Sequence, residues 1–385
     1  MKKFYTLLII LILISSCSSG TTDNQLATAA PEARKTVDLP QSPSPAATVQ
    51  QTVGRSMVTI DYSRPSVISP DGVDRTGKIW GRQVPYEMNF RPAMGGGEPR
   101  PWRAGANENT TIEFSHDATI EGQPISAGKY GIHMLIHENG KVTIIFSNVS
   151  DAWGSFSYEE SNDALRVEVQ SEVISNTERL VYSFQEVSET TTKVVLDWEK
   201  KRIPFTVGFD THGMVMTDLS AYLSDTTGLT WRDYNRAAAY AATNSVNLSD
   251  GMSWIEKSLA METNYTNLST KADLLSAQGK TAEASDLKNN ALELSTTTAD
   301  NYYSHGTRLI TMGQLEEAMT IFNRQNERWP DHWLTAHGYG RIYSAIGDYN
   351  KALSYEQVAL TKAPQANKGF VEGAIEQLKA GKDFN

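Results

Sequence analysis

Side chains that could recognise a ligand are concentrated in two short runs near the start of the chain. One run is Asp61–Pro65, and the other is Trp102–Glu108. Arginine beside aromatic faces suits an anionic or sugar-like ligand, and a neighbouring carboxylate or amide can fix the orientation of that ligand. The two runs therefore supply the candidate ligand-binding residues, which are Tyr62, Arg64, Trp102, Arg103, Asn107 and Glu108.

The same residue types have two other interpretations. An arginine beside a glutamate can hold two loops in register through bidentate, charge-assisted hydrogen bonds, which would make the two runs purely structural. Alternatively, Glu108 could act as a general base in a hydrolase. No nucleophile motif accompanies it, and the sequence contains no G-x-S-x-G, H-E-x-x-H, Walker or dinucleotide-binding pattern. We therefore expect no catalytic residue and no cofactor.

Two histidines stand four positions apart in a predicted strand. His133 and His137 would project from the same face of the sheet, because side chains alternate along a strand. They could bind a metal if a third ligand such as His116 or Glu121 approached. No metal-ligand spacing motif supports that interpretation. We expect no metal site, and we interpret the pair as polar members of a partly solvated face.

The chain is acidic and has a single cysteine. Its formal net charge is −10, so it lacks the basic surface that nucleic-acid binding requires, and we expect no nucleic-acid partner. Cys17 follows a basic head and the apolar stretch Leu7–Ile14, which is too short to span a bilayer. This pattern is typical of a secretion signal, predicted here over residues 1–16.

The end of this signal resembles the lipobox of bacterial lipoproteins. The resemblance rests on Ile14-Ser15-Ser16-Cys17, and it implies that cleavage leaves a lipid-modified, palmitate-bearing Cys17. The protein would then contact the membrane through its lipid anchor only. Ser18 follows the cysteine, and no aspartate occupies that position. By resemblance to lipoprotein sorting rules, this favours the outer membrane, with the protein facing the periplasm.

After the predicted signal, the first half of the chain contains two regions of different composition. Residues 17–48 are rich in Ser, Thr, Ala, Gln and Pro and cannot bury enough apolar surface to fold, so we predict a flexible tether. Over residues 49–215, apolar and polar residues alternate. Asn139-Gly140 between two alternating runs predicts a hairpin. About eight short strands without a long helical pattern predict an antiparallel β-sandwich.

The candidate ligand-binding runs also carry a family resemblance. Asp61–Pro65 and Trp102–Glu108 resemble the signature segments of domain-of-unknown-function family 2911 (DUF2911), a family of exported bacterial proteins, and the similarity covers Val53–Val187. Relative to that family, Asn89–Arg100 looks like an insertion that could cover or reshape a site. The resemblance implies a fold and no established activity.

After Leu219 the pattern changes to a helical repeat. A small residue recurs at spacings of 33, 34 and 34 positions, and these residues are Gly251, Ala284, Ala318 and Ala352. Small residues at this period let two antiparallel helices cross closely. The pattern resembles the tetratricopeptide repeat (TPR) over Trp231–Ala366, with a capping helix near Gly369–Ala380. It predicts an α-solenoid of TPR-like helical hairpins over residues 226–385.

The chain is thus predicted to be a multidomain protein, β then α. The TPR resemblance implies that the concave face of the array binds an extended peptide or a protein partner. The alternative is that the array only packs on the neighbouring domain. We expect a lipid-anchored, non-enzymatic binding or scaffold protein of the cell envelope. The alternative function is an envelope hydrolase that acts on glycans or peptides through the Trp102-Arg103 and Asn107-Glu108 region.

Overall fold

The computed structural model of this 385-residue chain describes residues 43–88 and 99–385. The predictions for the signal over residues 1–16, for Cys17, for most of the tether and for most of the loop insertion lie outside the described residues. From Ser44 onward the chain forms one compact unit, in which a β-domain is followed by a helical array.

The β-domain contains ten strands within the described residues. In chain order they are β1 Ala46–Val53, β2 Ser56–Ser63, β3 Thr110–Phe114, β4 Ala118–Ile120, β5 Gln123–Ile125, β6 Gly128–Ile136, β7 Lys141–Ser147, β8 Asp163–Gln170, β9 Glu172–Gln185 and β10 Thr191–Phe209. One sheet has the order β1-β2-β3-β6-β7-β8, and the other has the order β5-β4-β10-β9. All of the paired strands run antiparallel.

A single apolar core joins the two sheets. Along β2, buried residues alternate with more exposed ones, so one face of the strand points into the core. Aromatic side chains from opposite sheets meet there: the ring centroids of Phe146 and Phe205 lie 6.0 Å apart, and those of Phe114 and Phe209 lie 6.5 Å apart. This packing of two antiparallel sheets is the β-sandwich that the sequence predicts.

The hairpin predicted at Asn139-Gly140 is confirmed. β6 and β7 pair in register from Gly131–Ser147 to Ile136–Val142, and Gly140 turns the chain with φ of 87°. Glycine adopts this left-handed conformation without steric cost.

One strand differs from its prediction. Two of the short strands predicted from alternation are Lys193–Trp198 and Ile203–Phe209, whereas both lie in the continuous strand β10. The charged residues between them resemble a turn, but they form a bulge at Glu199 that keeps pairing with β9. The buried carboxylate of Glu199 accepts hydrogen bonds from the backbone N–H groups of Gly77 at 3.0 Å and Lys200 at 2.8 Å.

Ten helices follow the β-domain. In chain order they are α1 Thr211–Tyr222, α2 Trp231–Asn244, α3 Leu248–Met261, α4 Tyr265–Ala277, α5 Thr281–Leu292, α6 Ala299–Thr311, α7 Leu315–Arg328, α8 Trp333–Ala345, α9 Tyr349–Lys362 and α10 Gln365–Lys379. The pairs α2–α3, α4–α5, α6–α7 and α8–α9 pack as hairpins, and α10 packs against α9. The predicted order of β-sandwich, TPR-like hairpins and capping helix is therefore confirmed.

The repeated small residues lie at helix crossings. Ala284, Ala318 and Ala352 are buried, and a Cβ atom at Gly251 would lie 2.8 Å from both Ala241 Cβ and Leu274 Cδ2. The recurring spacing thus marks the positions where the backbones of adjacent helices come closest.

In two hairpins, a polar residue stands seven positions after the repeated small residue. There, Ser258 Oγ donates to Trp231 O at 2.8 Å and Gln325 Nε2 donates to Ala299 O at 3.0 Å, so each side chain binds the first turn of the preceding helix.

The predicted boundaries need two corrections. β1 begins at Ala46, inside the region assigned to the tether, because its alternating residues pair with β2. The helix α1 begins at Thr211, so the expected boundary of the β-domain at residue 215 falls inside a helix that the sequence analysis did not predict. No helix in the described ranges is long and apolar enough to cross a membrane.

Candidate functional site

The two aromatic and arginine-rich runs lie close to β9. Tyr62 is buried, and its ring meets that of Tyr182 edge-on at 4.9 Å. Arg64 Nε donates to Leu180 O at 3.0 Å. Tyr182 Oη donates to Ala104 O at 3.0 Å, which ties the Trp102–Glu108 turn to the same strand. These contacts connect the two sheets and favour the structural interpretation of Tyr62 and Arg64.

Trp102 forms part of an aromatic cluster. Its backbone pairs with that of Met134 through hydrogen bonds of 2.9 and 2.7 Å, and its Nε1 donates to Gly105 O at 3.2 Å. The indole ring stacks on Trp198 at 6.1 Å and meets Trp80 edge-on at 5.7 Å. The ring therefore packs against the core rather than standing open as a ligand platform.

Arg103 and Asn107 bind within their own turn and its neighbours. Arg103 donates to the backbone carbonyl of Asn107, and its guanidinium lies 5.3 Å from the centre of the Phe156 ring. Gly154 allows this approach, because its φ is 66° and a Cβ atom there would overlap the guanidinium. Asn107 Nδ2 donates to Ser44 O at 3.0 Å and to Ser63 Oγ at 3.2 Å.

Glu108 does not form the ion pair with Arg103 that the structural interpretation of these runs would require. Its side chain is exposed, and no Arg103–Glu108 ion pair occurs among the salt bridges of the described residues. Arg103 lies on the backbone carbonyl of Asn107 and on the Phe156 ring, while Trp102 packs into the aromatic cluster. The described residues thus do not gather Trp102, Arg103 and Glu108 into a cleft suited to acid–base catalysis.

The interpretation of His133 as part of a solvated face is wrong. Its side chain is 2% exposed, because the chain around Ser155 and Tyr158 covers this face of β6. Its Nδ1 lies 2.8 Å from Ser155 Oγ, and its ring meets that of Tyr158 edge-on at 5.1 Å. Burial, aided by the positive charge of Arg103, lowers the pKa of His133 to about 4.

The other candidate metal ligands have separate partners. His137 is more exposed, and it contacts Glu87 at 2.7 Å and Thr143 at 3.0 Å. His116 Nδ1 lies 3.0 Å from Ser115 Oγ. No group of three potential metal ligands is close enough to hold an ion within residues 43–88 and 99–385.

An open cleft lies where the β-domain meets α1. Its volume is about 820 Å³, and its lining includes His116, Met214, Met216 and Asn247. An ion pair between Arg55 and Asp218 also lies in this lining. The two charges neutralise each other, so the cleft presents no unpaired charge of this pair to a ligand.

A second candidate site lies on the helical array, and the sequence analysis missed it. It is formed by Tyr303 of α6 and by His337, Arg341 and Ser344 of α8, here called the docking face. The chain after α10 folds back onto it through Asp383–Asn385, here called the 383–385 segment. Within the array, this face therefore already holds a short peptide segment.

Hydrogen bonds fix the 383–385 segment on α8. Ser344 Oγ donates to Asp383 Oδ1 at 2.6 Å, and Phe384 N donates to Ser344 Oγ at 3.2 Å. Arg341 Nε donates to Asn385 Oδ1 at 2.9 Å, and Asn385 Nδ2 donates to Arg341 O at 3.0 Å. Desolvation raises the pKa of Asp383, but hydrogen bonds from Ser344 and Asn385 outweigh it and leave that pKa below its ordinary value.

A buried histidine lies beneath the segment. The ring of His337 lies 5.7 Å from that of Phe384 and 5.6 Å from that of Tyr303. Its Nδ1 lies 2.8 Å from Glu356 Oε2, and neither side chain is exposed. Desolvation raises the pKa of Glu356, although His337 acts in the opposite direction. Because this pair fixes the imidazole on α8, the aromatic part of the docking face is held in place.

The sequence contains a signal for this face. His337, Arg341 and Ser344 are spaced four and three residues apart, so they lie along one side of a helix. Phe384 is a lone aromatic residue between polar ones after the capping helix. Neither signal shows that the two segments meet.

The fold and these sites define the chain as a β-sandwich joined to a TPR-like helical array. Residues 44–207 match the model of a family described as "Protein of unknown function (DUF2911)". The resemblance expected over Val53–Val187 is therefore confirmed, and the match extends from the start of β1 almost to the end of β10. A search of curated proteins finds no match.

Solved structures similar to this chain include several TPR proteins. The C-terminal part of a TPR repeat-containing protein from Cytophaga hutchinsonii is 18% identical, with 44% of this chain and 64% of that chain covered and a TM-score of 0.32. A tetratricopeptide repeat protein from Parabacteroides merdae is 16% identical, with 43% and 69% covered and a TM-score of 0.29.

YrrB, described as a TPR protein with an unusual peptide-binding site, is 19% identical, with 39% of this chain and 78% of that chain covered and a TM-score of 0.25. This chain spans less than two thirds of the length of the Cytophaga hutchinsonii structure.

Proposed function

We propose that this protein is a lipid-anchored scaffold of the cell envelope whose helical array binds a protein partner on the docking face. Cys17 would carry the lipid, and the outer membrane, facing the periplasm, is the proposed location. The β-domain would support the assembly or bind a ligand of its own. Among the described residues, Trp102, Arg103 and Glu108 do not converge as a hydrolase would require, so binding is the better-supported function.

One observation carries the proposal for the array. The docking face holds a three-residue segment through four hydrogen bonds and an aromatic contact. Two of these bonds involve the backbone, one through the N–H of Phe384 and one through the carbonyl of Arg341. A face that receives a segment of its own chain in this way has the chemistry needed to receive a segment of another protein.

Site-specific crosslinking would test this function. A photoreactive residue at Tyr303 should capture a protein partner in intact cell envelopes, because Tyr303 belongs to the docking face. The matched control is a photoreactive residue at Val358 of α9, which is 43% exposed and outside the docking face. Equal capture of the same partner from both positions would contradict binding at the docking face.

The anchor has a separate test. Cys17→Ser should release the protein from membranes in soluble form, because the hydroxyl cannot form the thioether that lipoprotein processing requires. Membrane and soluble fractions after a salt wash, compared by immunoblot with those of the unsubstituted chain, measure this. A Cys17→Ser protein that stays with the membrane would refute the lipid anchor and leave the docking face untouched.

A further inference from the structure

The contacts of the 383–385 segment are reciprocal. Ser344 both donates to the Asp383 carboxylate and accepts from the Phe384 N–H. Arg341 both donates from Nε and accepts through its carbonyl, and both of its bonds go to the amide of Asn385. Consecutive residues of the segment thus meet two residues on one side of α8. Because hydrogen bonds are directional, these paired contacts fix the orientation of the segment on α8.

The aromatic ring lies between these polar contacts. Phe384 is half-buried, and its ring meets His337, which is fully buried and held by Glu356. Phe370 of α10 also contacts His337, at 5.0 Å, yet it is 58% exposed. The docking face therefore contacts a carboxylate, an aromatic ring and an amide from three consecutive residues.

The segment is also weakly attached. It follows Gly381, whose φ is 70°, and both Asp383 and Asn385 are exposed although they are hydrogen-bonded. A neutral hydrogen bond contributes about 0.5–1.5 kcal/mol net and one to a charged group about 1.5–3 kcal/mol, so a competing segment that makes the same contacts and a few more can displace this one.

We propose that the 383–385 segment is an internal competitor for the docking face, and that the protein partner presents an aromatic residue flanked by a carboxylate and an amide. This inference rests on the proposed function of the array. While the segment is bound, only the open fraction of the protein can bind the partner, so the apparent dissociation constant rises in proportion. Partner binding would then require displacement of the segment.

The test uses a fluorescent, amidated peptide with the sequence Gly-Lys-Asp-Phe-Asn, which is that of residues 381–385. Its binding is measured by fluorescence polarisation to the full chain carrying Cys17→Ser, with and without Asp383→Ala and Phe384→Ala together. The double substitution should free the docking face and tighten peptide binding about tenfold, as expected if roughly nine molecules in ten are closed. Lys382→Ala, at an exposed neighbour, should leave the affinity unchanged.

Substitutions on the face identify where the peptide binds. In the freed chain, Arg341→Ala or Ser344→Ala should weaken peptide binding about tenfold or more. Ser344→Ala removes both hydrogen bonds of the Ser344 hydroxyl, and Arg341→Ala removes the charged Nε donor to Asn385. Ser304→Ala of α6 is the matched control, since its side chain is exposed. Circular dichroism of each variant shows whether it is folded.

A further measurement uses the chain with Asp383 and Phe384 intact, so its result does not depend on whether a variant folds. The Phe384 amide, which donates to Ser344 Oγ, should exchange its hydrogen about tenfold more slowly than the same amide in the free peptide. Free exchange of this amide would overturn the internal competitor.

The outcomes separate the two proposals. Equal peptide affinity with and without the double substitution would overturn competition, while binding at Arg341 and Ser344 would still support the proposed function. No peptide binding to the freed chain would overturn the recognition of this segment chemistry. Crosslinking from Tyr303 would then decide the proposed function independently.

Discussion

At the scale of single residues, burial changes the chemistry of His133 more than its sequence position suggests. Alternation along β6 predicts that it points away from the face of Ile132 and Met134, and that is where it lies. Sequence alternation could not show that residues near Ser155 cover this second face, because the covering chain comes from a loop about twenty residues later. A solvated histidine was therefore predicted where a buried one exists.

The burial of His133 predicts acid sensitivity. Its pKa falls from 6.5 to about 4 on folding. Between these pH values the unfolded chain therefore binds a proton at this residue and the folded chain does not. The free energy of unfolding is unaffected above pH 6.5, and this residue should lower it by about 3 kcal/mol as pH falls from 6.5 to 4. His133→Gln should reduce that loss. Urea denaturation at a series of pH values measures it.

His305 of the array shares this behaviour, because burial and the charges of Lys288 and Arg308 lower its pKa to about 4. Some acid sensitivity should therefore remain after His133→Gln. If the variant and the unsubstituted chain lost stability equally between pH 6.5 and 4, the cost assigned to burying neutral His133 would be wrong.

At the scale of elements, the array depends on close helix contacts that the sequence shows only in part. Gly306 of α6 lies twelve positions before the repeated small residue Ala318, and a Cβ atom there would overlap the ring of Phe322. Gly338 of α8 faces the same ring and lies outside the repeat spacing. Phe322 of α7 is fully buried between them. The period locates crossings within hairpins, whereas contacts between successive hairpins depend on the rotation of each helix.

Gly338→Ala should therefore destabilise the array. The added methyl group would overlap the Phe322 ring, and overpacking in a filled core costs about 1–3 kcal/mol. Gly373→Ala in α10 is the matched control, because nothing lies within 4 Å of its added methyl group. That control should stabilise the protein by about 0.5–1 kcal/mol through helix propensity. Urea denaturation followed by circular dichroism at 222 nm tests both, and stabilisation by both substitutions would contradict the packing argument.

At the scale of the whole molecule, composition and periodicity predict the order of domains well. Period-two alternation and the Asn139-Gly140 turn identify the sandwich, and the recurring small residues identify the hairpins. The helix α1 was missed because it has no repeat partner and begins directly after β10. The docking of the 383–385 segment was missed because it joins residues about forty positions apart, and no local pattern encodes such a contact.

The junction between the two parts is polar. In chain order, Phe209 is the last member of the β-domain core, and Met216 is the first member of the first apolar cluster of the array. Among the described residues, no apolar cluster includes members of both. The contacts across the junction include Thr211 Oγ1, which donates to Glu189 O at 2.7 Å, and the exposed Arg55–Asp218 ion pair. An exposed ion pair contributes about 0–1 kcal/mol, and no apolar cluster of the described residues spans the junction, so we expect weak coupling between the two parts.

Weak coupling predicts two separate unfolding transitions, and Gly338→Ala should move only one of them. Hydrogen exchange followed by mass spectrometry at increasing urea reports both parts in the full chain, through peptides from residues 110–147 and 333–362. In the variant, the midpoint for the array peptides should fall by about 1 M, given a loss of about 2 kcal/mol and a typical dependence on urea. The midpoint for the β-domain peptides should stay unchanged, because the substitution disturbs packing only in the core of the array. A common shift of both midpoints would mean that the polar junction transmits stability between the parts, and the β-domain and the array would then have to be treated as one cooperative unit.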